Sequence, residues 1–318
     1  MATKTWFITG TSRGFGREWA EAALRRGDRV AGTARDPGTL DELLQDHGDA
    51  LLPIALDVTD REAVFDTVRR AHEHFGRLDV IVNNAGYGQF GMVEELSEQE
   101  ARDQIETNLF GALWVTQAAL PFLREQRGGH FLQVSSIGGI SAFPGIGMYH
   151  ASKWGLEGIS QALAQEVKGF GIKVTLIEPG GFSTDWGGSS ARHADALAAY
   201  DQVHEASEQR RAGNRPGDPV ASAEAVMRIV DAVAIAWPRR GKLELDPVGD
   251  RGRDQRAAAS GAVALEPLLE VGGPAEVVAG VLVGALEVQQ VDDGHLDSVV
   301  RGPAGCGTGP RPTRARMA

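Results

Sequence analysis

From Thr5 to Glu178, short apolar runs of strand length alternate strictly with longer helical segments, and this constrains the fold more than any other feature of the chain. TWFIT (5–9), RVAGT (29–33), LLPIA (51–55), DVIVN (79–83), HFLQVS (130–135) and KVTLIE (173–178) are β-branched or apolar runs. Between them, Ala, Leu, Glu and Arg recur at helical spacing near 15–26, 39–46, 60–75, 97–126 and 148–169. Strand and helix in alternation predict an α/β fold: a doubly wound, Rossmann-type parallel sheet with helices on both faces and right-handed crossovers. Such sheets bind ligands beyond the carboxyl ends of their strands, where the motifs of this chain fall.

The first strand runs into Thr9-Gly10-Thr11-Ser12-Arg13-Gly14-Phe15-Gly16, which opens the first helix. Gly10 permits the tight turn, Gly14 lets backbone approach a ligand, and Gly16 allows close helix packing. The helix N-terminus then presents free N–H groups and a positive dipole end, which suit a pyrophosphate. Tyr149 and Lys153 stand four apart on a predicted helix, so both side chains share a face. A phenol titrates near pH 10 and is a poor base at neutrality. A neighbouring ammonium favours the phenolate, bringing it towards the range in which a general acid/base works.

The spacing G-x-x-x-G-x-G, together with the residues that follow, resembles the short-chain dehydrogenase/reductase family over residues 3–235 or so. Asp57-Val58 matches the family's adenine-contacting pair. Asn83-Asn84-Ala85-Gly86 matches its sheet-stabilising and cofactor-contacting motif. Asn108 in TNLFG, Ser136 in VSSIGG, Tyr149 and Lys153 in YHASK, and Pro179-Gly180 with Thr184 follow in family order. The resemblance implies Tyr149 as the proton donor and acceptor while hydride moves to or from the nicotinamide, with Lys153 also holding the nicotinamide ribose. Ser136 is preferred to Ser135 because its interval to Tyr149 is the family's usual one; it would orient the substrate carbonyl. Asn108 would hold a water linking Lys153 to solvent. The implied cofactor contacts are Gly10, Ser12, Arg13, Gly14, Phe15, Gly16, Arg35, Asp57, Val58, Asn83, Ala85, Gly86, Tyr149, Lys153, Pro179, Gly180 and Thr184.

NADP(H) is favoured over NAD(H). Family members that use NAD tend to carry an acid where this chain has Ala34, whereas Arg35 follows it and Arg13 lies in the glycine motif. Two guanidinium groups would bind a 2′-phosphate through charge-assisted, often bidentate contacts. Asp36 conflicts with this unless it only starts a turn with Pro37. Phe90, Phe143, Phe182, Trp186 and the Gly- and Ser-rich loop 181–200 suggest an apolar pocket for a small hydrophobic carbonyl compound or secondary alcohol. Two other classes stay open: a non-catalytic dinucleotide sensor, which would usually have lost Tyr149 or Lys153, and a damaged relative with impaired folding.

Composition closes several doors. The net charge of -11 argues against nucleic acid, whose phosphates need clustered Lys and Arg. The single cysteine, Cys306, excludes an internal disulfide and a multi-cysteine metal site. His72 and His74 are two apart on a helix and do not share a face, so no metal is expected. The start MATKTWFITG lacks a secretory pattern, and the longest apolar stretch, Val277 to Val288, is shorter than the roughly 20 residues that span a bilayer. The expectation is a soluble cytoplasmic protein without membrane or nucleic-acid partners. The family usually associates through the helices of Asn108 and Tyr149, implying a homodimer and leaving a tetramer open.

Helices are expected near 197–212 and 221–235, and KLEL (242–245) is a weak strand candidate. Beyond Trp237 the composition changes: no Phe, Tyr or Trp follows it to the end of the chain. The domain is therefore set at 1–248. Residues 249–318 form an atypical tail, either a low-complexity, partly disordered extension or the product of a shifted reading frame.

Overall fold

The computed structural model describes residues 2–213, 216–232, 277–282 and 286–290. In chain order the strands are β1 Thr5–Thr9, β2 Arg29–Ala34, β3 Leu51–Ala55, β4 Val80–Asn83, β5 Gln89–Phe90, β6 Gly129–Val134, β7 Ile172–Pro179, β8 Arg192–His193, β9 Val277–Leu282 and β10 Leu286–Gln290. The helices are α1 Gly14–Arg25, α2 Asp41–His47, α3 Arg61–Phe75, α4 Glu98–Ile105, α5 Gly111–Gln126, α6 Gly147–Val167, α7 Asp201–Gly213 and α8 Pro219–Ala232. A π turn, Glu106–Phe110, joins α4 to α5, so the single helix expected over 97–126 is one rod with a bulge at Asn108.

Six parallel strands form the body of the sheet in the order β3-β2-β1-β4-β6-β7, and β9 continues it beside β7, with β10 antiparallel to β9. Both added strands arise from within 249–318; KLEL (242–245) lies outside the described residues. The strand order reverses between β1 and β4, which opens a crevice at their carboxyl ends.

Period-2 alternation sorts each strand's side chains between two cores. Phe7, Ile81, Phe131, Val174 and Leu176 point to the face covered by α3, α5 and α6. Trp6, Ile8, Val80, Val82, Leu132 and Ile177 point to the opposite face, against α1 and α8. Trp19 of α1 is fully buried there and donates its indole N–H to Ser222 of α8 at 2.9 Å. Asp28 accepts from the Lys4 backbone N–H, the Trp6 indole and Arg26, and Asp231 of α8 accepts from Lys4 and Arg26. This network pins the end of α8 to the beginning of β1.

Helix ends follow from local sequence. Asp60 caps α3 through the Ala63 N–H, and Gly76, at φ +76°, closes its other end. Ser97 and Glu100 form a reciprocal capping box on α4. His72 stacks on Phe122 while His74 meets Phe75 edge-on, so the two imidazoles have different neighbours. No described helix is long and apolar enough to cross a membrane.

Candidate active site

A cleft of about 1470 Å³ runs over the carboxyl ends of the strands. Its nucleotide end is shaped by the turn after β1. Gly10 and Gly14 hold φ of +71° and +58°, a left-handed conformation suited to glycine. A Cβ on Gly16 would stand 2.3 Å from the Gly10 carbonyl oxygen, so only glycine lets α1 start this close. The Thr9 hydroxyl accepts from the N–H groups of Asn84 and Ala85, while Asn84 Nδ2 donates to the carbonyls of Thr9 and Gly10. Thr11 N–H and hydroxyl both donate to Thr33 O. The turns after β1, β2 and β4 are thus stapled together before any ligand arrives.

Gly10, Ser12, Arg13, Gly14, Phe15, Arg35, Asp57, Val58, Ala85, Gly86, Tyr149, Lys153, Pro179, Gly180 and Thr184 line the cleft. Two expected contacts do not. Asn83 is buried behind the cleft, donating to Ala112 O, Thr116 Oγ1 and Gln133 Oε1, which ties β4 to α5 and β6; Asn84 takes the place at the surface. Gly16 packs beneath Gly10, as the glycine spacing implied, and makes room without lining the cleft. The glycine cradle, the open N-terminus of α1 and the two arginines fit a dinucleotide.

At the second strand's end, the Asp36 carboxylate accepts from the Gly38 N–H at 3.0 Å and caps the short turn that follows. Arg35 is exposed at the cleft wall. Arg13 donates to the Ser189 hydroxyl at 2.7 Å, so the two guanidinium groups expected to act on one ribose have different settings: one at the wall, one bridging to the loop after β7.

At the other end, Tyr149 and Lys153 rise side by side from α6, with the Lys153 nitrogen 5.7 Å from the centre of the Tyr149 ring. Lys153 Nζ donates to Val134 O at 2.7 Å. Burial lowers its pKa to about 8, with the charge of Glu157 acting in the other direction. Burial pushes the Tyr149 phenol up to about 12, opposed by a hydrogen bond with Ser136. The Ser136 hydroxyl accepts from Gly138 N–H at 3.0 Å and donates to Pro179 O at 3.4 Å, which fixes it at the end of β6.

Asn108 is fully engaged by its side chain: Oδ1 accepts from Tyr87 N–H, and Nδ2 donates to Tyr87 O and Ser152 Oγ. It does not line the cleft, and the side chain fixes the position of the segment after β4. His150 points away from the reacting groups. Its Nδ1 meets Gly138 O at 2.8 Å and its Nε2 accepts from Phe143 N–H at 2.7 Å, clamping the loop that carries Ser136 and Phe143.

The substrate end is aromatic. Trp186 lies 4.9 Å from Tyr149 and 5.3 Å from Phe90, and Phe90 stacks on His193 at 5.0 Å. Phe143 lines the same wall, whereas Phe182 sits against Phe15 at the cofactor side. Strand β8 pairs with β5, and Arg192 lies 4.6 Å over Tyr87 while bonding Asp103. Glu95 locks the loop further: it accepts from the N–H groups of Met92 and Leu197 and pairs with His204. Burial pushes its pKa up, but the hydrogen bonds from His204, Leu197 and Met92 prevail and hold it at about 2. Tyr87, Arg192 and His193 line the cleft, and Glu95 fastens the loop beside it; motif spacing reveals none of them, because they meet from distant parts of the chain.

The short chain dehydrogenase family model matches residues 4–195. An oxidoreductase of Botryotinia fuckeliana is 51% identical over 189 residues, which are 59% of this chain and 69% of that protein. A short-chain dehydrogenase from Streptomyces avermitilis superposes with a TM-score of 0.68 at 42% identity, covering 72% of this chain and 85% of that one. An alcohol dehydrogenase from the archaeon Thermococcus sibiricus, complexed with 5-hydroxy-NADP, superposes with a TM-score of 0.61 at 30% identity, covering 72% and 91%.

Proposed function

Because the chain belongs to the short chain dehydrogenase family, and is thus an NAD(P)-binding oxidoreductase, we propose that it interconverts a hydrophobic carbonyl compound and its secondary alcohol with NADP(H), using Tyr149 as general acid and base. The observation that carries this is the buried Tyr149 phenol with the Lys153 ammonium beside its ring and Trp186 against it, at the floor of an aromatic pocket.

NADPH, when bound, supplies the hydride that adds to the carbonyl carbon. Ser136 holds the carbonyl oxygen towards Tyr149. The Tyr149 hydroxyl gives its proton to that oxygen as the C–H bond forms, leaving a phenolate. Lys153 stabilises that phenolate through its positive charge, and solvent returns the proton. A phenol pushed up to about 12 is protonated at neutral pH, which suits carbonyl reduction. In the reverse direction the Lys153 ammonium favours the phenolate form. Asn108 supports this chemistry by fixing the Tyr87 segment, and Trp186 and the aromatic wall exclude water.

NADP(H) is favoured by Arg35 at the end of β2, by Ala34 in place of an acid, and by the Asp36 carboxylate being turned to Gly38 N–H. Trp154, about half exposed on α6, marks the face through which two copies would associate. Tyr149→Phe is the direct test: turnover should fall by about 10²–10⁴-fold, while NADPH affinity stays within about twofold of wild type. Retained turnover would refute the acid/base role, and tighter binding of NADH than of NADPH would refute the cofactor preference.

A further inference from the structure

Behind the reacting groups lies a second set of ionisable side chains that this chemistry leaves unused. Glu157 follows Lys153 by one helical turn on α6, so both lie on the same face of the helix. Glu178 ends β7 beneath them. Lys153, Glu157 and Glu178 are respectively 5%, 6% and 1% exposed. The backbone at Gly139 seals the group from above: a Cβ there would stand 2.5 Å from Ser135 Oγ and 3.0 Å from Glu157 Oε1. Among the described residues no salt bridge reaches either carboxylate, and Glu157 Oε1 and Glu178 Oε2 accept no hydrogen bond from protein.

A buried carboxylate without such partners is costly unless a nearby charge compensates it. The groups facing it are few. Tyr149 and Lys153 come from α6, Ser135 from the end of β6, and Glu178 from β7. Asp103 and Glu106, on α4 and the π turn, lie along the outer cleft wall. Strand β9, whose Val281 is opposite Glu178 in register, has no ionisable residue in VVAGVL.

We propose that Glu157 is a positioning residue of the active site: its buried carboxylate is the counter-charge that keeps the Lys153 ammonium protonated. Burial pushes the Glu157 carboxyl up, opposed by Ser135 and by the charge of Lys153, so the lysine and the glutamate hold each other's charge. Burial lowers Lys153 to about 8 and Glu157 opposes this. Burial, with the charge of Glu157 adding to it, pushes Glu178 up to about 8. A charged Lys153 is what the Tyr149 phenolate needs, so Glu157 acts on the reaction through Lys153 and not by contact with substrate. This inference rests on the proposed role of Tyr149 and Lys153.

The test reads Lys153 directly. The chain has few lysines, so lysine labelled with ¹³C at Cε gives few NMR resonances, and Lys153→Met assigns the one that matters. In full-length wild-type protein that resonance should titrate near pH 8. In Glu157→Gln the midpoint should fall by about one to two pH units, the order expected on removing one nearby charge in a medium of intermediate dielectric. Glu178→Gln, which replaces a neutral acid by a neutral amide, should move it by no more than about a few tenths. Glu157→Ala removes the same charge, should lower the midpoint by a similar amount, and covers the case in which the glutamine variant does not fold. An unchanged midpoint in either charge-removing Glu157 variant that folds, or a fall in Glu178→Gln as large as in Glu157→Gln, overturns the proposal. NADPH titrations at pH 6–9 give an independent measure, with affinity weakening at lower pH in Glu157→Gln than in wild type. Because the NMR titration needs no turnover, its result stands apart from that of Tyr149→Phe.

Discussion

At the nucleotide end of the cleft the surface is made largely of backbone; at the substrate end it is made of side chains. Gly10, Gly14 and Gly16 let main chain approach main chain, and Thr9, Thr11 and Asn84 hold the turns through carbonyl and N–H groups. The aromatic pocket depends on Phe90, Trp186, His193 and Arg192, held by a loop that Glu95 fastens. A backbone surface tolerates no added atom, whereas a side-chain surface can change shape residue by residue.

The sharpest way to break this contrast is Gly16→Val. Its Cβ would meet the Gly10 carbonyl at 2.3 Å, so stability should fall by about 1–3 kcal/mol and NADPH affinity by roughly a hundredfold, about 2.7 kcal/mol. Calorimetry and nicotinamide fluorescence would show this; wild-type affinity would mean that α1 can retreat without damage. Next in size is Arg35→Ala, which should weaken NADPH by about 10–100-fold, the worth of charged hydrogen bonds, and leave NADH alone. Equal losses for both cofactors would show that Arg35 shapes the wall without reading the phosphate.

Acid should separate the sheet from the loop. His130, buried in β6 with Thr175 on its Nε2, is lowered to about 3 by burial, with the charges of Lys173 and Lys4 adding. Its native pKa is below the unfolded one, so its stabilising contribution is complete above pH 6.5 and is lost as pH falls towards 3. Glu95 is held at about 2 against an ordinary 4.5, so its contribution is complete above pH 4.5 and is lost only as pH falls towards 2. Between pH 6.5 and 4.5 the melting temperature should drop while protease cleavage within 181–200 does not rise, and His130→Gln should flatten the drop. Early loop cleavage in that window would place the weaker element at the loop. The smallest effect is expected from Glu95→Gln, which should raise KM for substrate about threefold to tenfold, with NADPH affinity unchanged.

The same contrast explains what could be read from the sequence. Glycine spacing reports backbone geometry directly, so Gly10, Gly14 and Gly16 were legible, as were Tyr149 and Lys153 from their helical interval. The six main strands emerged from apolar runs because each sends side chains into one or both cores, only the edge strand β3 being partly open. Less legible was anything decided by a partner distant in sequence. Asn83 and Asn84 are adjacent and chemically identical, yet strand alternation sends one into the core and leaves the other at the cleft. The bulge at Asn108 carries no helix-breaking residue. Arg13 could be placed near the cofactor, but its bond to Ser189 depends on how the loop returns. Strands β5 and β8 are two residues each, too short for any period to register.

The separation between those contacts also has a meaning in time. The staple between Thr9 and the Asn84-Ala85 turn needs only the chain up to Ala85, whereas the Glu95–His204 contact waits for His204. At about 5–20 residues per second of synthesis, the partners of the first contact exist roughly 6–24 s before those of the second. A nascent chain thus holds the makings of its dinucleotide crevice well before it can close the pocket that selects a substrate.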